Sequence, residues 1–592
     1  MTGEIAMTLS VLAVTILLFV TEFLRVDVAA IVVMLLLPWL GLIEPSEAFM
    51  GFSSNAVIAM IGVMVLGYAI DASGAMRRLV GPVSRAASGS ERRLTAIVSA
   101  SVGMVSAFMQ NIGATVLFLP AVKRIAGRSG FSTSRILMPL GFAAILGGTL
   151  TMIASGPLII LNDLMRQSGD STFGIFSVTP VGIVLLAAGV FYFLLFGKRL
   201  MPKPTLRTEG EDDLVAAWDL PSKLTVVTIP QSSPISGRTI EEADLWGRFG
   251  LHILAEETEG KTGFAPWRGT VLTPGVKYAL SGDREGLDRL LSDGLVETGH
   301  VKCSLDGLMD SDESGFAELV VRPRSGIEGR TIRQLAFRKT WGVEPLLLCS
   351  GGRTLREDIS DIPLRGGDTL VVHGPWQAVA AMGHGEFLPA GGVREARSLK
   401  GRPILAGAIF AAGIALAVAG FQLSLALMSA VAGMILFRVI TVDEAYRAVE
   451  WRTVFLLAGL IPLGRAMETT GTAAYLADGL MGVLGGAHPM IMMTGIALLA
   501  TVFTLFMSNV AATVLLVPLV MTMAPGLGIA PRALAILVAI CASNSFVLPT
   551  HQVNALLMAP GGYCNRDYMR AGGPLTLLFI ALAVPLVYFI FR

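Results

Sequence analysis

Two stretches of this chain, 398 residues apart, are near copies of each other: Phe108-Met-Gln-Asn-Ile-Gly-Ala-Thr-Val-Leu-Phe-Leu-Pro-Ala-Val122 and Phe506-Met-Ser-Asn-Val-Ala-Ala-Thr-Val-Leu-Leu-Val-Pro-Leu-Val520. Nine of the fifteen positions are identical, and each copy sets an Asn, small residues and a Thr inside a strongly apolar run. In hydrocarbon no water is available to such polar groups, so they are costly there and mark a site. Duplicated halves with matching interruptions are the pattern expected of a secondary transporter that binds its substrate between repeats.

Composition points the same way. Hydrophobic residues make up 53% of the 592 and charged residues 15%, with a mean hydropathy of +0.68, which places the chain among membrane proteins. A net charge of +1 provides no broad basic field, so no nucleic-acid partner is expected. Cys303, Cys349, Cys541 and Cys564 show neither metal-ligand spacing nor a paired framework. The first apolar run follows Glu4 rather than a basic segment, and it reads as a retained span rather than a cleaved signal.

Apolar runs form two blocks. Candidate spans lie near 7–24, 26–43, 54–70, 134–160 and 174–197, then near 403–419, 421–438, 453–470, 532–558 and 573–591. Most approach the ~20 residues that cross ~30 Å of hydrocarbon. Between the third and fourth span of each block lies a further apolar stretch, 95–122 and 489–524, interrupted by the duplicated motif. Its halves are short for crossing, so each stretch reads as a re-entrant hairpin. Arg77, Arg78, Arg85, Arg92 and Arg93 precede the first hairpin, and Lys123, Arg124, Arg128 and Arg135 follow it. Two basic flanks place both ends of that hairpin in the cytoplasm. The flanks of the second hairpin carry only Arg465 and Arg532, so it is expected to open from the outer side. With Lys198, Arg199, Lys203, Arg397, Lys400 and Arg402 inside, both termini fall outside and the two halves are inverted relative to each other.

The intervening segment changes character. After Pro202 and Pro204 comes an acidic run, Glu209 to Asp213, and then short alternating apolar segments. It is itself duplicated: Ser236-Gly-Arg-Thr-Ile240 recurs 92 residues later as Glu328-Gly-Arg-Thr-Ile332, and the same offset relates Trp246–Gly250 to Arg338–Gly342. Each copy reads strand, short helix, hairpin, strand. The expected organisation is membrane repeat 1 over 1–203, small α+β domains over 204–300 and 301–395, and membrane repeat 2 over 396–592. The expected fold is thus a polytopic α-helical membrane protein of two inverted repeats, each five spans plus one re-entrant hairpin, with an inserted cytosolic tandem of small α+β domains.

The residues also carry two family resemblances. Glu318-Leu-Val-Val-Arg-Pro-Arg-Ser-Gly-Ile-Glu-Gly-Arg-Thr-Ile-Arg-Gln-Leu335 followed by Asp361-Ile-Pro-Leu-Arg-Gly-Gly-Asp-Thr-Leu-Val-Val-His-Gly374 is similar to the C-terminal domain of potassium-uptake regulators (TrkA-C or RCK-C type). The two hairpin motifs, Glu450-Trp-Arg-Thr-Val-Phe-Leu-Leu-Ala-Gly-Leu460 and Phe546-Val-Leu-Pro-Thr-His-Gln-Val-Asn554 resemble the divalent-anion:sodium symporter family of the ion-transporter superfamily, in its sulfate-transporter-like branch. That resemblance implies sodium-coupled uptake of a small divalent anion, sulfate-like or a dicarboxylate, by an elevator motion, in a homodimer surrounded by membrane lipid in a bacterial-type inner membrane. No cofactor is implied; the coupling ion would be Na+. The Ser-Asn-Thr signature of the family is only partly kept, as Gln110-Asn111-Ile112 and Ser508-Asn509-Val510, and Ala154-Ser155-Gly156-Pro157-Leu158 lacks the family's loop Asn whereas the second half keeps Asn554.

Helix breaks at mid-membrane expose N–H groups that favour an anion and carbonyls that favour a hard cation. Asn111 and Asn509 are the leading candidates for sodium coordination, with Ser155, Gly156, Thr550 and Asn554 in the breaks, and Gln110, Thr115, Ser508 and Thr513 beside them. Small and hydroxylated residues also serve plain helix packing in membranes; the mirrored placement, with Pro120 and Pro518 at matching positions, favours the site. His551 reads as a hydrogen-bonded loop residue. By resemblance alone, Arg238, Thr239, Arg330, Thr331 and Arg333 are candidate contacts for a small polar regulatory ligand. No catalytic triad, phosphate loop or metal signature is present, so no enzyme activity is expected. An efflux antiporter of the same superfamily and a ligand-gated channel are the alternative readings; the spans contain no selectivity-filter sequence, which counts against the channel.

Overall fold

The computed structural model describes residues 2–21, 23–75, 90–129, 131–167, 169–201, 224–258, 261–282, 284–298, 313–323, 325–351, 353–356, 359–383, 385–391, 402–484, 488–549 and 551–591. The expected domain boundaries at 203/204, 300/301 and 395/396 lie outside these residues, as do Arg77, Arg78 and Arg85.

The first half is helical: α1 (Gly3–Thr21), α2 (Val26–Trp39), α3 (Asn55–Ala72), α4 (Glu91–Ser106), α5 (Asn111–Ser129), α6 (Thr133–Gly147), α7 (Gly156–Gln167) and α8 (Thr179–Leu200). Two sheets with short helices follow. The second half contains α14 (Pro403–Val418), α15 (Leu423–Leu436), α16 (Val442–Ala448), α17 (Trp451–Thr469), α18 (Thr472–Leu484), α19 (Pro489–Phe506), α20 (Asn509–Met523), α21 (Pro531–Ala542), α22 (Gln552–Gly561) and α23 (Asn565–Ile590).

Among the described residues four helices are long and apolar enough to cross a membrane: α3, α8, α19 and α23. Eight further apolar helical segments are shorter, at 10–17 residues: Gly3–Phe19, Val26–Trp39, Asn111–Lys123, Thr133–Gly147, Pro403–Val418, Leu423–Leu436, Asn509–Met523 and Pro531–Ala542. The stretch 134–160 divides into α6 and α7, and 532–558 divides into α21 and α22, with residues 148–155 in the first, and 543–549 and 551 in the second, non-helical between them. A hydropathy window averages across such breaks. The local cause is the Gly147-Gly148-Thr149 and Ser155-Gly156-Pro157 runs in one and Ser543-Asn544-Ser545 with Pro549 in the other. Their hydroxyls and amides bond locally to backbone, and Pro fits a helix's first turn but not its interior.

The helices pack as two bundles. In one, α2 lies along α17 and α3 along α15, with α1, α14 and α16 beside them. In the other, α4 to α8 pack with α19 to α23. Glycines set the closest approaches in both. A Cβ on Gly459 of α17 would stand 2.7 Å from the Ala30 carbonyl oxygen of α2. One on Gly147 would collide with the Gly103 carbonyl oxygen of α4. Such contacts let helices approach to backbone distance where lipid supplies no hydrophobic drive. Within the second bundle the halves are tied together: Tyr192 of α8 donates to the Ala571 carbonyl at 2.8 Å, and the Met138 N–H donates to the Tyr563 hydroxyl at 2.8 Å. The bundles meet where α17 touches α20 and α3 touches α7.

Between the halves stand two antiparallel five-stranded sheets. The first has β1 (Thr225–Thr228), β2 (Leu251–Thr258), β3 (Lys261–Phe264), β4 (Lys277–Gly282) and β5 (Glu297–Thr298) in the order β3-β2-β4-β1-β5. Its helices are α9 (Ile240–Ala243), α10 (Leu245–Phe249) and α11 (Arg284–Ser292). The second has β6 (Ser314–Val321), β7 (Glu344–Ser350), β8 (Arg353–Leu355), β9 (Thr369–Pro375) and β10 (Phe387–Gly391), with α12 (Phe337–Trp341) and α13 (Trp376–Gly383). Read from β8, its order β8-β7-β9-β6-β10 is that of the first sheet. Each copy thus adds a helix and a closing strand to the strand, helix, hairpin, strand reading.

Positions 92 residues apart are conformationally equivalent. Asp244 and Ala336 are both left-handed at φ 43° and 47°, and the β-bulges fall between Ile253 and Ala255 and between Pro345 and Leu347. The two sheets share an apolar seam of Leu254, Phe316, Leu346, Leu347, Cys349 and Val371. His252 and Glu344, themselves 92 apart, meet across it at 3.0 Å, with Arg338 on the same carboxylate. Burial by itself would push the Glu344 carboxyl up, but the Arg338 guanidinium and the His252 ring more than offset it and hold it below the usual carboxylate range.

Candidate functional site

Each duplicated motif forms the tip of an antiparallel helix pair. In the first, α4 ends at Ser106 and α5 starts at Asn111; in the second, α19 ends at Phe506 and α20 starts at Asn509. Ser508 caps α20, its hydroxyl accepting from the Ala511 N–H at 3.2 Å. Both Asn side chains turn onto a helix break. The Ser106 hydroxyl lies 2.7 Å from the Asn111 Oδ1 and 2.7 Å from the Ala144 carbonyl of α6. The Asn111 amide in turn lies over Gly148, where a Cβ would come within 2.8 Å of its oxygen. On the other side Ser545, in the break after α21, donates to the Asn509 Oδ1 at 3.2 Å.

The hydroxyls further along play a different part. Thr115 and Thr513 are both fully buried and donate to the carbonyls of Asn111 and Asn509, at 2.8 and 2.9 Å. They bond back to the preceding turn, as Thr commonly does inside an apolar helix. Gln110 enters through its backbone, its carbonyl accepting from the Ala114 N–H at 3.1 Å.

The two breaks touch. Ser155 and Ser543 share a hydrogen bond of 2.9 Å, and the Thr151 hydroxyl reaches the Ala107 carbonyl at the first tip. Gly156, which opens α7, presses on the second tip: a Cβ there would lie 2.8 Å from the Val510 Cγ2. Asn554 of α22 donates to the Ser545 carbonyl at 2.7 Å, while its buried Oδ1 has no hydrogen-bond partner among the described residues. His551 caps the same helix, its Nδ1 accepting from the Val553 N–H at 3.2 Å. Thr550 lies outside the described residues.

The starts of α5, α7, α20 and α22 therefore gather around two breaks whose carbonyls and amide oxygens are close by. Helix starts present N–H groups to an anion, and oxygens suit a hard cation. The Asn554 oxygen, unpaired among the described residues, and the Asn509 oxygen, bonded to the adjoining Ser545, are donors of the kind that suit a hard cation.

Two residues escaped the sequence reading. Asn544, 1% exposed, accepts from the Thr576 hydroxyl at 3.2 Å, and its Nδ2 has no partner among the described residues. Its signal was its place between Ser543 and Ser545 in an apolar stretch. Asp163 of α7 is buried at the start of α3, facing Ser54 and the N–H groups of Asn55 and Ala56, with Arg166 at 4.0 Å. An acid at a helix N-terminus is favourable. This one joins the two bundles, and a carboxylate inside Leu158-Ile-Ile-Leu-Asn-Asp-Leu-Met165 was its signal.

At the sheets, Thr239 caps α9 in a capping box with Glu242, and Thr331 exchanges two hydrogen bonds with Gln334. Arg333 holds Asp361 through two bonds of 2.6 and 2.8 Å, near Glu241 and Arg268 of the first copy. Arg238 and Arg330 contribute their carbonyls to the backbone bonds from Leu272 and Leu364.

A family model described as citrate transporter matches residues 16–540. The chain belongs to the citrate transporter family. It is an integral membrane transporter of the ion-transporter superfamily, as the hairpin motifs suggested. Among relatives of this family, an uncharacterized transporter of Synechocystis is 29% identical over 99% of this chain and 96% of its own length. The uncharacterized transporter YfbS of Escherichia coli is 28% identical over 100% of both chains. Sodium/sulfate cotransporter 2 of Chlamydomonas reinhardtii is 24% identical over 45% of this chain and 32% of its own length.

Proposed function

We propose that this citrate-family transporter takes up a small divalent anion, sulfate-like or a dicarboxylate, coupled to sodium. The observation that carries the reading is the pairing of two Asn-led helix starts with two helix breaks, which supplies anion-facing N–H groups and cation-facing oxygens at one place. The similarity to a protein named as a sodium/sulfate cotransporter supports the choice of ions. In this reading the two halves are inverted repeats with re-entrant hairpins α4–α5 and α19–α20. The bundle of α4–α8 and α19–α23 moves as the carrier against α1–α3 and α14–α17, in an elevator cycle within a homodimer. The sheets lie in the cytoplasm as an inserted tandem of TrkA-C-like domains, and both termini lie outside. The test is uptake of labelled sulfate, succinate and citrate into proteoliposomes under an imposed sodium gradient. Saturable uptake of one of them that collapses with the gradient supports the proposal. Uptake driven by a proton gradient alone, or unsaturable flux, overturns it.

A further inference from the structure

The second sheet does not hang free of the helices. On the carrier side, Glu318 of β6 pairs with Lys123 of α5 at 3.2 Å, and Val320, Leu388 and Ala390 pack on Leu556 of α22. The turn before β9 presses on the same helix, since a Cβ on Gly367 would lie 2.9 Å from the Met558 sulfur. On the other bundle, Arg322 pairs with Glu450 at 3.1 Å and Glu386 with Arg452, at the start of α17. Glu386 also accepts from the Gly326 N–H at 2.9 Å, which fixes its carboxylate on the sheet.

One rigid sheet is thus bonded to α5 and α22, which carry Asn111 and Asn554, and also to α17 of the other bundle. At the opposite end of α17 the seam between the bundles opens into a cavity of about 420 Å³ lined by Asp170, Glu468, Gly471, Pro518 and Thr522. The seam is bridged at one end and open at the other. An element that bonds two bodies resists any sliding between them, and it biases the equilibrium only if its bonds are made in one state and not in the other.

We infer that the second sheet is an autoinhibitory strap: it holds the two bundles in the arrangement seen here and must release one of them for each transport cycle. The inference rests on the carrier reading above and names how that carrier is restrained. It predicts that the strap's ion pairs control rate rather than substrate affinity.

The test uses the full-length protein in proteoliposomes with two readouts. The first is sodium-driven sulfate uptake. The second is the alkylation rate of Ser325→Cys, a position 7% exposed in the turn between Arg322, which pairs with Glu450, and Gly326, which lies beside Arg452, so that it reports release of α17 without requiring transport. Arg322→Ala combined with Glu386→Ala removes two partly exposed pairs, and both alkylation and uptake should rise by roughly three- to thirty-fold with KM unchanged. Glu386→Arg alone should raise both as well, and adding Arg452→Glu to complete the charge exchange should return them toward wild-type values, which separates a broken strap from a damaged fold. Unchanged alkylation and uptake in the double alanine variant would overturn the strap, as would a loss of uptake that the exchange does not repair. If the wild type carries none of sulfate, succinate and citrate under any gradient the carrier reading fails, and the alkylation arm still decides whether the sheet releases; if it carries one of the other two, that anion replaces sulfate in the uptake readout.

Discussion

Gly156→Ala is the most direct probe of the contact between the second tip and the first break. The new Cβ would stand 2.8 Å from the Val510 Cγ2 and 3.2 Å from the Met60 methyl. Met60 can swing away, but Val510 is β-branched and in the first turn of α20, so its χ1 is stiff and the strain falls on the tip. Overpacking of this kind costs about 1–3 kcal/mol. The helix-propensity gain of Ala over Gly is at most about 1 kcal/mol and shrinks at a first helical residue. A net cost of about 1–2 kcal/mol against the arrangement with the tip seated corresponds to a loss of roughly 5- to 30-fold in apparent sodium affinity. The assay is the sodium dependence of uptake in proteoliposomes at fixed substrate, with thermal unfolding followed in parallel. Adding Val510→Ala removes the clashing methyl and should return the sodium dependence toward wild type. A wild-type sodium dependence in Gly156→Ala, or a defect that Val510→Ala leaves untouched, would refute the reasoning.

Asn111→Ala and Asn509→Ala should each abolish sodium-coupled uptake while costing only about 1 kcal/mol in folding, one hydrogen bond from Ser106 or Ser545 being lost; normal uptake at matched expression removes that residue from the site. A cysteine at Ser311 should resist an impermeant maleimide in intact cells and react in lysed ones, and labelling in intact cells would reverse the proposed topology. Glu344 titrates below its ordinary value of about 4.3, so its contribution to stability is present above that value and disappears as pH falls through the lowered one. Glu344→Gln should therefore lower the unfolding temperature at pH 7 and flatten its acid dependence, measured by thermal unfolding of the purified protein from pH 3 to 7. Replacing residues 206–394 with a short flexible linker should leave uptake intact and faster, and a folded deletion variant that no longer binds substrate would contradict a regulatory role for the sheets.

Much of the architecture was legible in local chemistry. The copied motif marked both tips because a polar residue in an apolar run is conspicuous at any window length, and Asn111 and Asn509 do begin α5 and α20. The offset of 92 in the segment between the halves was equally legible. Gly-containing turns tolerate few substitutions where φ is positive, as at Gly237 and Gly329 (76° and 81°), so they persist after the strands have diverged. Span lengths were less legible, because hydropathy does not register where a helix stops inside an apolar stretch.

The sequence by itself determined which residues break helices, which repeat, and that the chain must live in lipid, since these follow from side-chain chemistry and order along the chain. Only the tertiary structure decided what those residues meet. Thr115 and Thr513 are both seen to spend their protons on backbone carbonyls one turn back, which leaves only their oxygen lone pairs for any other partner. Asp163 sits in an apolar run, and only packing sets it at the start of α3, more than a hundred residues away in sequence. The pairs of Glu318, Arg322 and Glu386 with Lys123, Glu450 and Arg452 join three parts of the chain through charges that are common on any surface. A charge carries no record of its partner; the partner is chosen by the geometry of the backbones that bring the two together.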